Sequence, residues 1–222
     1  MSPQEVQRNR GGRPPRLALN DIVTVSENIV THEGVQALTM RRLAKELDTS
    51  PMAMYRHVAD KDQLLVLVLD RIVARIERPE LPEDPRQRLT VLWCLLHGEL
   101  SRHPWAVDVL AAGDLMAPSV LWLVESILGA FVDAGLDHQR AATAYRAVWH
   151  YTVGEIIVRT STDRRTAELD RSPLSIVMVS EVEQEAMPHL AQLANEWTAA
   201  RKTDAYAVGL GALVDGFIGA SD

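Results

Sequence analysis

Apolar residues along this 222-residue chain recur at three- and four-residue steps in every long segment, and nowhere do they alternate with polar ones. That periodicity limits the fold more than any other feature, because it puts the apolar side chains on one face of a helix and leaves no strand pattern to pair into a sheet. Ile22, Val23, Ile29 and Val30 form a first helical face, with Asn20 or Asp21 as its cap and Gly34 as its stop. Thr39 starts a second helix carrying Leu43, Ala44 and Leu47. Ser50 and Pro51 start a third, since Ser caps well and Pro fits a first turn. Asp60 caps a fourth, which runs to about Glu77. Further helices are read at roughly 86–102, 104–111, 118–134, 138–160, 174–200 with a break at Pro188, and 203–219. Gly135 and a polar loop over 161–173 separate the longest of them. The expected fold is all-α.

Pro and Gly cluster at GGRPP, positions 11–15, and return as Pro79, Pro82 and Pro85, marking an N-terminal arm and a hinge. The expected divisions are a basic arm over 1–18, a three-helix domain over 19–61 and a larger helical bundle over 62–222. Charge divides the same way. The net charge is −7, yet residues 1–61 hold nine Lys and Arg against seven Asp and Glu, so the acidity belongs to the bundle. Arg8, Arg10, Arg13 and Arg16 oppose Glu5 alone in the arm. Cys94 is the single cysteine, which rules out an intrachain disulfide and suits a reducing compartment, and its apolar neighbours point to inert burial. The polar N-terminus does not read as a secretory signal, and Asp and Arg interrupt the apolar windows before they reach membrane-spanning length. A cytoplasmic protein with no membrane partner is expected. No HExxH, Gly-x-Ser-x-Gly or Gly-rich phosphate loop occurs, and the chain reads as a non-enzyme with no metal and no cofactor.

The stretch TSPMAMYRH, Thr49 to His57, raises the functional question, because it crowds two Met, a Tyr, an Arg and a His into one short segment. The second and third helices are too short to be stable alone and are joined by only Asp48, Thr49 and Ser50. That is a helix-turn-helix, in which Leu43, Leu47 and Met54 turn inward and Ala44 permits a close crossing. Ser50, Met52, Ala53, Tyr55, Arg56 and His57 remain on an outer face that fits a DNA major groove.

The run LTMRRLAKELDTSPMAMYRHVADKDQLL, residues 38–65, resembles the DNA-binding domain of TetR-family transcriptional regulators. Thr39, Leu43, Ala44, Leu47, Tyr55, His57, Val58, Lys61, Leu64 and Leu65 carry the resemblance in order. It implies that Tyr55, His57 and Lys61 meet the DNA backbone while Arg41 reaches a base edge. Met52 and Ala53 suit thymine methyls, and Arg13 in the arm suits a minor groove. One residue departs from the family pattern: Asp48 stands where the turn usually has Gly, and Asp reaches the left-handed conformation more readily than most residues.

Residues 133–154, DAGLDHQRAATAYRAVWHYTVG, are similar to the C-terminal domain of the tetracycline repressor and its drug-responsive relatives. The resemblance implies a cavity in which Ile127, Leu128, Tyr145 and Trp149 line the wall, with Leu110 at a further position; Trp93 and His97 are added candidates, and His97, His103 and His150 can supply hydrogen bonds. The metal-directing Glu and His of that repressor fall on Val158 and Leu110, so a metal-tetracycline complex does not fit. A hydrophobic drug-like or metabolite effector does. The five Trp, which include Trp105, Trp122 and Trp197, otherwise read as core filling. Ala205, Gly209, Ala212 and Gly216 form a small-residue stripe in the last helix, where glycines need a compensating close approach. By resemblance, this helix and the 138–160 helix pair with their mates in a homodimer, with Ala147, Tyr151, Gly154 and Leu213 as further contacts.

The reading is thus a ligand-responsive repressor that binds double-stranded operator DNA as a homodimer. Two rivals stay open at this point. A DNA-binding dimer regulated by a protein partner would show no small-molecule release, and an all-α carrier or enzyme would show no salt-dependent DNA binding. Activation instead of repression depends on where the operator lies.

Overall fold

The computed structural model describes residues 18–112, 115–168, 174–194, 196 and 204–219. Arg8, Arg10, Arg13, Arg16 and Trp197 lie outside them. The described residues form helices and two short 3₁₀ turns, with no strand among them. Contacts divide the chain into two compact units, the first closing at Val68 and the second opening at Leu69.

In the first unit, α1 (Leu19–Glu33) is followed by a 3₁₀ turn (Val35–Ala37), α2 (Met40–Glu46) and α3 (Pro51–Met54). Helix α1 starts earlier than its sequence suggests. Ala18 is the residue before it, and Asp21 accepts the Ala18 backbone N–H at 3.4 Å instead of standing outside the helix as its cap. Gly34 ends α1 with φ of 83°, a conformation that a side chain would strain. The core holds Ile22, Val23, Ile29, Val30, Leu38, Leu43, Ala44, Met54 and Val58, each at most 3% exposed. Leu47 is only half-buried.

Helix α4 (Lys61–Val73) is one continuous helix, and the unit boundary falls inside it, beyond the expected division at residue 61. Leu64, Leu65 and Val68 are buried and group with the N-terminal unit. The helix stops at Val73 and not near Glu77. Arg75 and Ile76 donate to carbonyls only three residues back, and Arg78 precedes Pro79, a position that disfavours helical geometry.

The second unit contains α5 (Pro85–Arg102), α6 (Pro104–Ala111), a 3₁₀ turn (Pro118–Val120), α7 (Leu121–Asp133), α8 (His138–Glu168), α9 (Leu174–Ser180), α10 (Pro188–Leu193) and α11 (Tyr206–Gly219). Helix α5 packs on α6, α7, α8 and α11, and α8 also packs on α6, α7 and α11. Asp84 caps α5 by accepting the Gln87 N–H at 2.8 Å, with Pro85 in the first turn. Two segments differ from the sequence reading. Residues 161–168 continue α8 and are not loop, because they contain no Gly or Pro and their polarity suits a solvent-facing helix. The segment from 174 stops at Ser180, whose Oγ donates to the Val177 carbonyl. No described helix is long and apolar enough to cross a membrane.

Candidate DNA-reading face and effector cavity

The outward face of the first unit is set by its caps. Thr39 Oγ1 accepts the Arg42 N–H at 3.1 Å to start α2, and Ser50 Oγ accepts the Ala53 N–H at 3.2 Å to start α3. Asp48 takes φ of 47° and is the one described non-glycine residue with positive φ, the left-handed turn expected from the sequence. Thr49 N–H then donates to the Ala44 carbonyl at 2.9 Å and closes the turn. Met54 is fully buried, whereas Met52 is 71% and Tyr55 52% exposed. Arg41 and Arg56 are exposed, and Ala53 and His57 are half-buried.

Lys61 is half-buried, and its Nζ donates to the Val35 carbonyl at 2.8 Å. An ammonium has three donors, so the two that remain can still meet an anion. Arg42, next to Arg41, is occupied differently. Its guanidinium makes a forked pair of bonds to Glu33 at 2.9 and 3.1 Å and a third to Glu46 at 2.8 Å, which ties α2 to the end of α1. The Glu46 partner is legible from its four-residue spacing, while the Glu33 partner depends on tertiary placement.

The second unit encloses a cavity of about 240 Å³. Its walls come from Leu69, Ile72, Val73 and Ile76, from Leu96, Glu99, Leu100 and His103 on or beside α5, and from Ala106 and Leu110 on α6. Leu115, Met116, Ala117, Val120, Leu123, Val124 and Ile127 close the α7 side, and Tyr145 and Trp149 close the α8 side. Leu110, Ile127, Tyr145 and Trp149 therefore all line this one cavity, from three different helices.

Three other residues expected to line the cavity do not. Trp93 is fully buried with its ring centroid 5.5 Å from that of Tyr145, and it backs the wall instead of facing the space. His97 Nε2 is 2.7 Å from Glu155 Oε2, and its ring stacks on Tyr206 at 3.7 Å, so both its edge and its face are already occupied. Leu128 is half-buried but stands outside the lining, because one helical step from Ile127 rotates a side chain onto another face. His103, which the sequence offers as a hydrogen-bonding residue, does line the cavity, and the lining adds Glu99, Leu69, Ile72, Val73 and Ile76, which the sequence does not single out. Leu69, Ile72 and Val73 recur at three- and four-residue steps on α4, which is the signal the sequence carries for that wall.

The small-residue stripe has an explanation inside one chain at Gly209. A Cβ there would sit 2.1 Å from the Tyr151 hydroxyl oxygen. Tyr151 stacks on Tyr206 at 5.4 Å and donates to the Tyr206 carbonyl at 3.2 Å, locking α8 to α11. Tyr206 in turn bonds Thr152 Oγ1 at 2.8 Å, and burial pushes its hydroxyl well above the usual tyrosine range. Gly154 and Gly216, by contrast, have nothing within 4 Å of an added Cβ. Ala205, Ala212 and Gly216 are exposed beside Val208 at 76%, and Ala147 and Leu213 are half-buried. Cys94 is half-buried, and desolvation pushes its thiol up, away from the reactive thiolate.

Two family models match this arrangement. The bacterial regulatory proteins, tetR family, model spans residues 22–68, and the tetracyclin repressor-like, C-terminal domain, model spans 78–219. The chain belongs to the TetR family. It is 31% identical over 170 residues to the HTH-type transcriptional repressor DrrR1 of Streptomyces coeruleorubidus, covering 74% of this chain. It spans 63% and 61% of the lengths of the first two curated relatives it matches. Among solved structures, ActR of Streptomyces coelicolor in complex with actinorhodin is 24% identical with a TM-score of 0.77, over 94% of this chain and 98% of that one. BioQ with its natural double-stranded DNA operator is also 24% identical, with a TM-score of 0.63 over 91% and 99%.

Proposed function

We propose that this chain is a ligand-responsive transcriptional repressor that binds a pseudo-palindromic operator as a homodimer and is released by a hydrophobic small molecule. One observation carries the reading: α4 begins at Lys61, beside the helix-turn-helix, and ends at cavity residues Leu69, Ile72 and Val73. A ligand that fills the cavity contacts the helix that carries the DNA-reading end. It shifts the DNA-bound population only through its different affinity for the two states. Taking that population from 99:1 to 1:99 requires about 5.5 kcal/mol of difference. The repressor name of the Streptomyces coeruleorubidus relative and the actinorhodin complex of ActR support both halves of the reading.

On the DNA side, Arg41, Met52 and Ala53 read base edges, while Ser50, Tyr55, Arg56, His57 and Lys61 meet phosphates, with Arg13 following the minor groove. The exposed strip of Ala205, Val208, Ala212 and Gly216, with Ala147, Gly154 and Leu213, supports dimerisation through α8 and α11. The test is a compound screen that records both thermal shift and release of a fluorescent operator duplex selected from a random pool. Trp149→Ala is expected to retain operator binding and lose compound-induced release. Unchanged release in that variant places the effector outside this cavity.

A further inference from the structure

The cavity is apolar except at one end, and that end holds one charge. Glu99 is the single charged side chain on the wall among the described residues. Its carboxylate is 21% exposed and pairs with Arg102, whose side chain is 68% exposed and hence well screened by water. His103 follows one turn later; it borders the cavity, and its Nδ1 is enclosed without a hydrogen-bond partner.

A second cavity of about 380 Å³ adjoins this end, and Arg75, Glu77 and Leu95 complete its lining. Ile72, Ile76, Glu99 and His103 border both spaces. An apolar chamber and a more polar recess therefore share a border that holds a carboxylate and an imidazole. Tyr145 and Trp149 supply aromatic faces to the chamber, which suit a flat apolar body and also attract a cation.

Resting on the reading of this cavity as the effector site, we infer that the effector is an amphipathic amine, with a flat apolar body in the chamber and a basic nitrogen at Glu99. A half-buried carboxylate beside a low-dielectric space attracts an ammonium and repels a second carboxylate more strongly than either would be felt in water. The His103 imidazole can bond a hydroxyl or carbonyl next to the nitrogen. An acidic effector is disfavoured inside the chamber, whose described lining holds no Lys or Arg: the Arg102 guanidinium faces solvent, and Arg75 lies in the adjoining recess together with Glu77.

Three probes with one ring system separate the possibilities: 1-pyrenemethylamine, 1-pyrenemethanol and 1-pyrenecarboxylate, titrated into the full chain at neutral pH while tryptophan emission is followed. The amine is expected to bind about tenfold tighter than the carboxylate, with the alcohol between them. Glu99→Gln should bring the amine to within about twofold of the alcohol, because the carboxamide keeps the shape and loses the charge. Val124→Trp, which fills the chamber, should weaken all three. Equal binding of amine and carboxylate, or a preference for the carboxylate, overturns the amine inference and leaves the cavity as a binding site. No binding by any probe, or binding untouched by Val124→Trp, overturns the cavity reading itself. If Glu99→Gln melts well below the wild type, the ranking of the three probes on the wild-type chain still decides the matter.

Discussion

The two units of this protein differ in where each places its candidate chemistry: one on its own outer face, the other around an enclosed space. In the N-terminal unit the candidate DNA-reading side chains are exposed or half-buried on α3 and its neighbours, and the buried residues hold that face in shape. Met54 at 0% and Met52 at 71% exposure, two positions apart, are the clearest case. In the C-terminal unit the candidate chemistry points inward, into a space walled by residues as far apart in sequence as Leu69 and Trp149. An outward face is specified by one short helix and its caps. An inward cavity is specified by how several helices pack, so any of them can reshape it.

That contrast predicts where substitutions act. The largest stability effect is expected at Gly209→Ala, whose Cβ must displace the Tyr151 hydroxyl. Overpacking of this kind costs about 1–3 kcal/mol, visible as a lowered melting temperature. Adding Tyr151→Phe removes the clashing oxygen and should recover part of the loss. Failure to recover would show that the helix approach, and not the hydroxyl, sets the limit.

Next comes Arg41→Ala, which should lower the preference for operator over scrambled DNA by about 1–3 kcal/mol with little change in melting temperature. Equal loss on both duplexes removes its base-reading role. Lys61→Ala should weaken both duplexes alike and reduce the salt dependence of binding by about one unit. A lowered melting temperature without that change in slope would confine Lys61 to its bond with the Val35 carbonyl. The smallest effect is expected at Asp48→Gly. Relief of the left-handed strain should stabilise the N-terminal unit by less than about 1 kcal/mol, measured by thermal or denaturant unfolding. A destabilised variant would mean that the Asp side chain contributes more than its backbone costs.

Legibility in the sequence followed the same division. The caps Thr39 and Ser50, the stop at Gly34 and the strained Asp48 turn could all be read, because each is settled by residues within about one helical turn. The cavity was legible only in part. Tyr145 and Trp149 share a face by spacing and line the wall, but Trp93 and His97 were drawn away from it by packing partners on other helices. Glu99 sits near the end of α5, and only the fold closes a chamber beside it.

The sequence by itself determined the helical class, the helix-turn-helix and its outer face, since periodicity, caps and turn residues act over short distances and carry their own free energies. Tertiary structure alone decided which side chains enclose the cavity, why Gly209 must be glycine, and that Arg42 holds α1 to α2 while Arg41 stays exposed. Those outcomes depend on contacts between helices distant in sequence. Close packing allows only one partner at each such place, and no local pattern records which partner it will be.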